Sequence, residues 1–261
     1  MHFTKMHGLG NDYLYYFGEL ENVEELSVKL SDRHFGIGSD GIITISPSSV
    51  ADYKMRIFNA DGSEAMMCGN GIRCVGKYLF DKGYTDRKKL TIETLSGNKY
   101  LTLRTAGNRV NEVTVDMGKC VVSEKETLTT SYGDVTVTPV SVGNPHAVSF
   151  VEDIEKAPVD TVGRELEHHP FFENGVNAEF VQVIDSHTLR MRVWERGSGI
   201  TMACGTGACA SVSAAVYAGF CSRNEDITVV LDGGNLKISL SEDDTLMMTG
   251  PAETVCECEV E

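Results

Sequence analysis

The chain has 261 residues, a formal net charge of −15, 41% hydrophobic and 23% charged residues, an ordinary globular balance with room for one large core or two modest ones. The acidic surplus, with no Lys/Arg run longer than Arg87–Lys89, argues against a nucleic-acid partner, because binding a phosphate backbone needs clustered cations. The opening MHFTKMHGLGNDY has no apolar core of a signal peptide and no long unbroken apolar run follows, so neither a leader nor a membrane span is expected and the chain reads as cytosolic.

Taken in chain order, DRHFGIGSDG (32–41) contains a G-x-G-x-x-G match, but what precedes it looks helical and the IITIS that follows looks like a strand. A dinucleotide fingerprint needs the reverse order. YKMRIF (53–58) alternates as a strand, a Gly-rich turn follows, and an apolar helix is expected to start just after Cys68 and to stop at Gly83. KLTIETL, YLTLR and VNEVTVDM then read as strands. A seam falls near Met117–Lys119. Beyond it the same order returns: LRMRVW as a strand, a Gly-rich turn, a helix from just after Cys204 to Gly219, and the strands DITVVL, NLKISL and TLMMTG. GTGACA (205–210) opens that helix, yet it follows a turn rather than a strand, so nucleotide binding is not expected. Cys256 and Cys258 lie on an alternating segment that reads as a strand face.

The return is a duplication. MRIFNADGSEAMMCGNG (55–71) aligns without a gap on MRVWERGSGITMACGTG (191–207), keeping Met, Arg, Met, Cys, Gly and Gly in place. Roughly one identity would arise by chance in such a window. Gly83 matches Gly219, Gly97 matches Gly233, and GNDYLYYF (10–17) resembles GNPHAVSF (143–150). Two copies of this pattern predict an α+β protein of two pseudo-symmetric domains, each a mainly antiparallel sheet or barrel wrapped around a central helix, with the active site in the cleft between them. The expected boundaries are 1–118 and 119–249, with the last strand, about 250–261, packing back onto the first domain.

The cysteines decide the chemistry. In a reducing compartment eight cysteines are thiols, ligands or nucleophiles rather than a disulfide framework. Cys68 with Cys74, and Cys204 with Cys209, have spacings that share no helix face, so no metal site is expected. Cys74, Cys120, Cys209 and Cys221 read as inert core thiols. Cys68 and Cys204 differ: each stands at a matched helix N-terminus, where unpaired N–H groups and partial positive charge favour thiolate, lower the thiol pKa and bind carboxylate. Two opposed acid/base groups with a carboxylate cradle suit inversion at the α-carbon of an amino acid: one removes the α-proton, the other returns a proton to the opposite face, and N–H groups stabilise the enolate-like carbanion. No cofactor is required. Two rivals remain: another cofactor-independent racemase of histidine or proline type, and a non-enzymatic thiol redox sensor that joins Cys68 to Cys204.

KMHGLGNDY, DRHFGIGSDG, FNADGSEAMMCGNGIRC, VGNPHAV, GVNAEFV and WERGSGITMACGTGACAS together resemble the signature blocks of the diaminopimelate epimerase family, in order along nearly the whole chain. The resemblance implies a cofactor-free isomerase that interconverts LL- and meso-diaminopimelate in lysine and peptidoglycan precursor synthesis. It implies a cytoplasmic enzyme with a small amino acid as its partner, no nucleic acid and no membrane; a homodimer is left open. By motif, Cys68 and Cys204 are the catalytic pair, with His146 and Glu195 tuning the thiols. Gly69, Asn70, Gly205 and Thr206 would offer amides to the reacting carboxylate. Asn11, Asn59, Asn144 and Asn177 would hold polar groups of the substrate, and Glu195 and Arg196 an ammonium and the distal carboxylate, the latter through the bidentate guanidinium fork. Ile200 departs from the family, which usually has Glu there, and Gly41 stands where a polar residue is frequent.

Overall fold

A computed structural model describes residues 1–261 as two compact units, Met1–Asp116 with Thr249–Glu261, and Met117–Met248. In the first, β1 (His2–Gly8) and β2 (Asn11–Phe17) pair antiparallel; α1 (Val23–Ser31) then leads to β3 (Gly41–Pro47), which runs parallel to β2. β3 pairs antiparallel with β4 (Tyr53–Asn59), which carries the two-residue β5 (Glu64–Ala65) on its end. The helix α2 (Gly69–Asp81) crosses over to β6 (Lys89–Thr94), parallel to β4, and β7 (Gly97–Ala106) and β8 (Arg109–Lys119) continue antiparallel.

The second unit repeats this order. After β9 (Val121–Val122) and β10 (Glu126–Thr130), β11 (Gly133–Ser141) and β12 (Pro145–Phe150) pair antiparallel as β1 and β2 do. A 3-10 turn (Ile154–Lys156) and the short helix α3 (Val162–Glu167) take the place of α1. β13 (Asn177–Asp185) is parallel to β12 and antiparallel to β14 (Thr188–Glu195), which bears β15 (Gly199–Ile200). α4 (Gly205–Tyr217) then crosses to β16 (Ile227–Leu231), parallel to β14, followed by β17 (Gly234–Leu240) and β18 (Thr245–Gly250). The duplication read from residue identities is therefore also a duplication of strand direction. The final strand β19 (Glu253–Glu259) lies antiparallel on β1, with a bulge opposite Lys5 and Met6.

Each unit is organised around its long helix. α2 is buried from Gly69 through Leu79 and α4 from Gly205 through Ala215 apart from Thr206. Both end where glycine was expected to end them: Gly83 and Gly219 adopt φ of 77° and 78°, the left-handed conformation that closes a helix without a Cβ penalty. β3 and the first half of β13 are covered on both faces, so the neighbours Ile42 and Ile43, and Ala178 through Val181, are buried in succession, whereas β14 alternates and buries Leu189, Met191 and Val193 on one face. No helix is long and apolar enough to cross a membrane.

The first-unit loop beside α2 is held by charge. Asp12 takes Lys5 Nζ at 2.9 Å and Arg33 Nη2 at 2.8 Å, and the same Arg33 nitrogen reaches Asp40 at 2.9 Å. Burial raises the Asp12 carboxyl, but hydrogen bonds and attraction from Arg33 and Lys5 outweigh it and hold the group below its usual range. A depressed carboxyl contributes stability above its unfolded pKa and loses it as pH falls through the folded value. Asp12→Asn should therefore cost about 2 kcal/mol at neutral pH. Urea midpoints of the variant and the parent should converge as the solution is acidified through the carboxylate range; a gap that stays constant with pH would show that the ion pairs contribute nothing.

Candidate active site

Each central helix begins with a cysteine as its N-cap. Cys68 and Cys204 have extended backbone, with φ, ψ of −136°, 115° and −113°, 110°, the conformation that turns a cap side chain back over the first turn. In each the sulfur accepts the N–H three residues on: Gly71 N to Cys68 Sγ, and Gly207 N to Cys204 Sγ, both at 3.3 Å. The C-G-x-G spacing follows from this contact. A Cβ on Gly71 would come within 2.7 Å of Ile43 Cδ1, and one on Gly207 within 2.7 Å of Glu179 Oε1 and 3.2 Å of Cys204 Sγ. A side chain at either position would have to push Ile43 or Glu179 aside, so glycine lets the first turn press against the sheet while its N–H meets the sulfur.

Around Cys68 stand Asn11 and, behind it, Asp40. The Cys68 thiol donates to Asn11 Oδ1 at 3.2 Å, and Asn11 Nδ2 donates to Asp40 Oδ2 at 2.7 Å. Asp40 Oδ2 also accepts the Asp12 N–H, so β2 is pinned where Asn11 begins it. Asn59, at the end of β4, donates its amide to Ser63 Oγ at 3.1 Å, while Gly69 and Asn70 form the buried first turn of α2. Gly41, at φ 153°, would place a Cβ 2.0 Å from Phe58 O, so the backbone itself excludes a side chain there.

Around Cys204 the contacts form a chain. Its sulfur lies 3.6 Å from Thr206 Oγ1, Thr206 Oγ1 accepts from Asn144 Nδ2 at 3.3 Å, and Asn144 Oδ1 meets His146 Nε2 at 3.0 Å. His146 Nδ1 meets Glu179 Oε1 at 2.7 Å, both side chains fully buried. His146 thus reaches Cys204 through Thr206 and Asn144. The other predicted residues are grouped at the ends of β13 and β14. Asn177 Oδ1 accepts the Arg196 N–H at 2.9 Å while its Nδ2 donates to Pro145 O; the exposed Arg196 guanidinium donates to Asn174 O at 2.7 Å. Glu195 accepts from Thr201 Oγ1. Ile200 sits on β15 opposite Trp194, its side chain exposed.

One expectation is corrected. The helix N-terminus was expected to lower the thiol pKa, but Cys204 is pushed well above the ordinary cysteine range. Burial is the first cause, the negative charge of Glu195 adds to it, as does that of Glu179 whenever it is ionised, and the Thr206 and Gly207 hydrogen bonds only partly oppose them. Loss of water and a nearby carboxylate outweigh a single helix end. Cys74, Cys120, Cys209 and Cys221 are buried as core thiols, and burial drives Cys74 up to about 11.

Sequence reasoning missed Asp40 and Glu179. Glu179 carried a legible signal: β13 alternation puts it on the face of Asn177 and Val181, and a carboxylate inside the apolar run NAEFV is costly unless it is partnered. Asp40 lies inside the glycine-rich block 32–41 and carries no signal of its own in the sequence.

The sequence model for diaminopimelate epimerase matches residues 3–123 and 138–255. A diaminopimelate epimerase of Acetivibrio thermocellus is 51% identical, covering 100% of this chain and 99% of the relative. That of Methanococcus maripaludis is 50% identical with 100% of both covered, and that of Bacillus subtilis 48% identical with 98% and 96% covered. Among solved structures, a Bacillus anthracis protein of the PhzF phenazine-biosynthesis family superposes with a TM-score of 0.81 at 15% identity, over 100% of this chain and 99% of that one. A probable proline racemase from Agrobacterium radiobacter gives 0.76 at 17%, over 100% and 92%. At such identities these two show the shared fold of two pseudo-symmetric domains and nothing more.

The half-buried Cys68 should react with iodoacetamide at neutral pH about tenfold or more faster than Cys204, which is buried and held as thiol. Peptide mass spectrometry of the timed reaction reads both sites; equal rates would contradict the charge and burial assigned to Cys204.

Proposed function

The chain belongs to the diaminopimelate epimerase family, and on that premise we propose that it inverts one α-carbon of LL-2,6-diaminopimelate to give the meso isomer, without a cofactor, using Cys68 and Cys204 as opposed acid and base. The observation that carries this reading is the paired capping geometry: two helices of equivalent position, each with a thiol at the cap and a first turn held by the same glycine contact. The enzyme is an isomerase, and the reaction serves lysine biosynthesis.

Each domain supplies one half of the chemistry. One thiolate takes the α-proton while the opposite thiol delivers its own, so the two sulfurs exchange protonation states at every turnover. The elevated Cys204 rests as thiol, the form that donates. Negative charge building on the substrate carboxylate is met by first-turn N–H groups of α2 and α4, from Gly69, Asn70, Gly205 and Thr206, aimed along the helix axes. Asn11, Asn59, Asn144 and Asn177 line the polar ends of their strands and bind the amino and carboxylate groups. Glu195 suits the distal ammonium. Arg196, the exposed guanidinium beside it, suits the distal carboxylate, which distinguishes diaminopimelate from a monocarboxylic amino acid. The compartment is the cytoplasm. The proline-racemase-like neighbours support the two-domain scaffold for such chemistry, while the Glu195–Arg196 pair favours a substrate with a second amino-acid head.

Cys68→Ala and Cys204→Ala should each abolish epimerisation, since a two-base route fails when either side is missing; more than a small residual rate in either variant would overturn the assignment. Arg196→Met should cost roughly 2–5 kcal/mol in binding or transition-state energy with diaminopimelate. Its fold should be intact, as read by an unchanged urea midpoint. Chiral analysis of products from diaminopimelate, lysine, histidine and proline tests the substrate directly. Faster racemisation of histidine or proline than epimerisation of diaminopimelate would refute it.

A further inference from the structure

The Cys204 chain ends on a carboxyl group that the proposed mechanism does not use. Glu179 is fully buried on β13, one of its oxygens meets His146, and the other, Oε2, is buried with no protein hydrogen-bond partner. An ionised carboxylate has about four acceptor sites to satisfy, whereas a neutral acid places its negative density on far fewer. The imidazole points the same way. With His146 Nε2 donating to Asn144 Oδ1, and Asn144 Nδ2 donating to Thr206 Oγ1, a neutral ring has only an acceptor left at Nδ1. Glu179 Oε1, 2.7 Å away, is then the donor.

We infer that Glu179 is a positioning residue kept as the neutral acid: its Oε1–H donates to His146 Nδ1, fixes the ring with its proton on Nε2, and so aligns Asn144 and Thr206 on the Cys204 sulfur. The inference rests on the two-thiol reading above. The arrangement has an electrostatic consequence. Glu179 Oε1 lies where a Cβ on Gly207 would come within 2.7 Å of it, and the Gly207 N–H is on the Cys204 sulfur. A negative Glu179 would sit beside the thiolate that catalysis must form. A neutral one leaves Glu195 as the nearby anion, with the Thr206 hydroxyl and the Gly207 N–H the polar groups on the sulfur itself. Burial supports the assignment, since it pushes the Glu179 carboxyl up, and the charge of Glu195 adds to that push while His146 opposes it.

The test compares Glu179→Gln, which keeps a neutral donor to His146 Nδ1, with Glu179→Leu, which keeps the volume and leaves that nitrogen unpartnered. Alkylation of Cys204 by iodoacetamide is followed against pH in both variants and the parent. It needs no substrate, so it stands whether or not diaminopimelate turns over, and epimerase assays then give kcat and KM. The expected result is that Glu179→Gln retains the parental pH profile of Cys204 and a kcat within about threefold, while Glu179→Leu loses roughly tenfold or more in kcat with KM little changed. If Glu179 is instead an anion, Glu179→Gln removes a negative charge beside the sulfur. Alkylation at a given pH then rises about tenfold or more, and that outcome overturns the proposal. Equal loss of activity in Gln and Leu variants of parental urea midpoint overturns it as well.

Discussion

A sulfur that accepts a backbone N–H from the third residue after it is the contact on which the rest of this molecule depends. It is made twice, by Cys68 with Gly71 and by Cys204 with Gly207. To make it, each cysteine leaves extended backbone just before a helix, the helix starts at the next residue, and glycine three residues on leaves Ile43 in one unit and Glu179 in the other in place. The strands then wrap what the contact has placed. Parallel pairing of β4 with β6 and of β14 with β16 requires a crossover, and the helix is that crossover. Fold and site are thus one arrangement: the element that closes the sheet also presents the thiol.

The two copies have diverged in what surrounds the sulfur. Cys68 is half-buried beside Asn11 and a network of Asp12, Asp40, Lys5 and Arg33 in which opposite charges meet. Cys204 is buried and faces Glu195 and Glu179. Identical caps thus stand in unlike settings, and that of Cys204 holds its proton. A sulfur that holds its proton suits the donating side of an inversion.

Much of this was legible in the chain. Residue identities at a fixed offset exposed the duplication, alternation gave most of the strands, and apolar segments between a Gly-rich turn and a closing glycine gave both central helices, ending at Gly83 and Gly219 as read. What was not legible came from long-range packing. α3 and the 3-10 turn that replace α1 in the second half share no residue pattern with it. The rise in the Cys204 pKa could not be foreseen from a helix terminus alone, because its causes lie on β13 and β14, folded against the cap. Arg196 was read for its fork; its hold on the Asn174 carbonyl depends on a loop conformation that spacing does not encode. Glu179 was within the quoted block, and its meaning emerged only when alternation on β13 set it against His146.

The proposed inversion needs two bases acting from opposite faces of the substrate. The most direct measurement is epimerisation of LL-diaminopimelate in heavy water, stopped within the first few per cent of reaction, with the isomers separated and their deuterium content read by mass spectrometry. Two opposed thiols predict that the meso product carries one deuterium at the inverted carbon, delivered by a sulfur equilibrated with solvent, while recovered LL substrate remains protiated. Product and recovered substrate labelled to the same extent would mean that one group serves both faces, and would contradict the account.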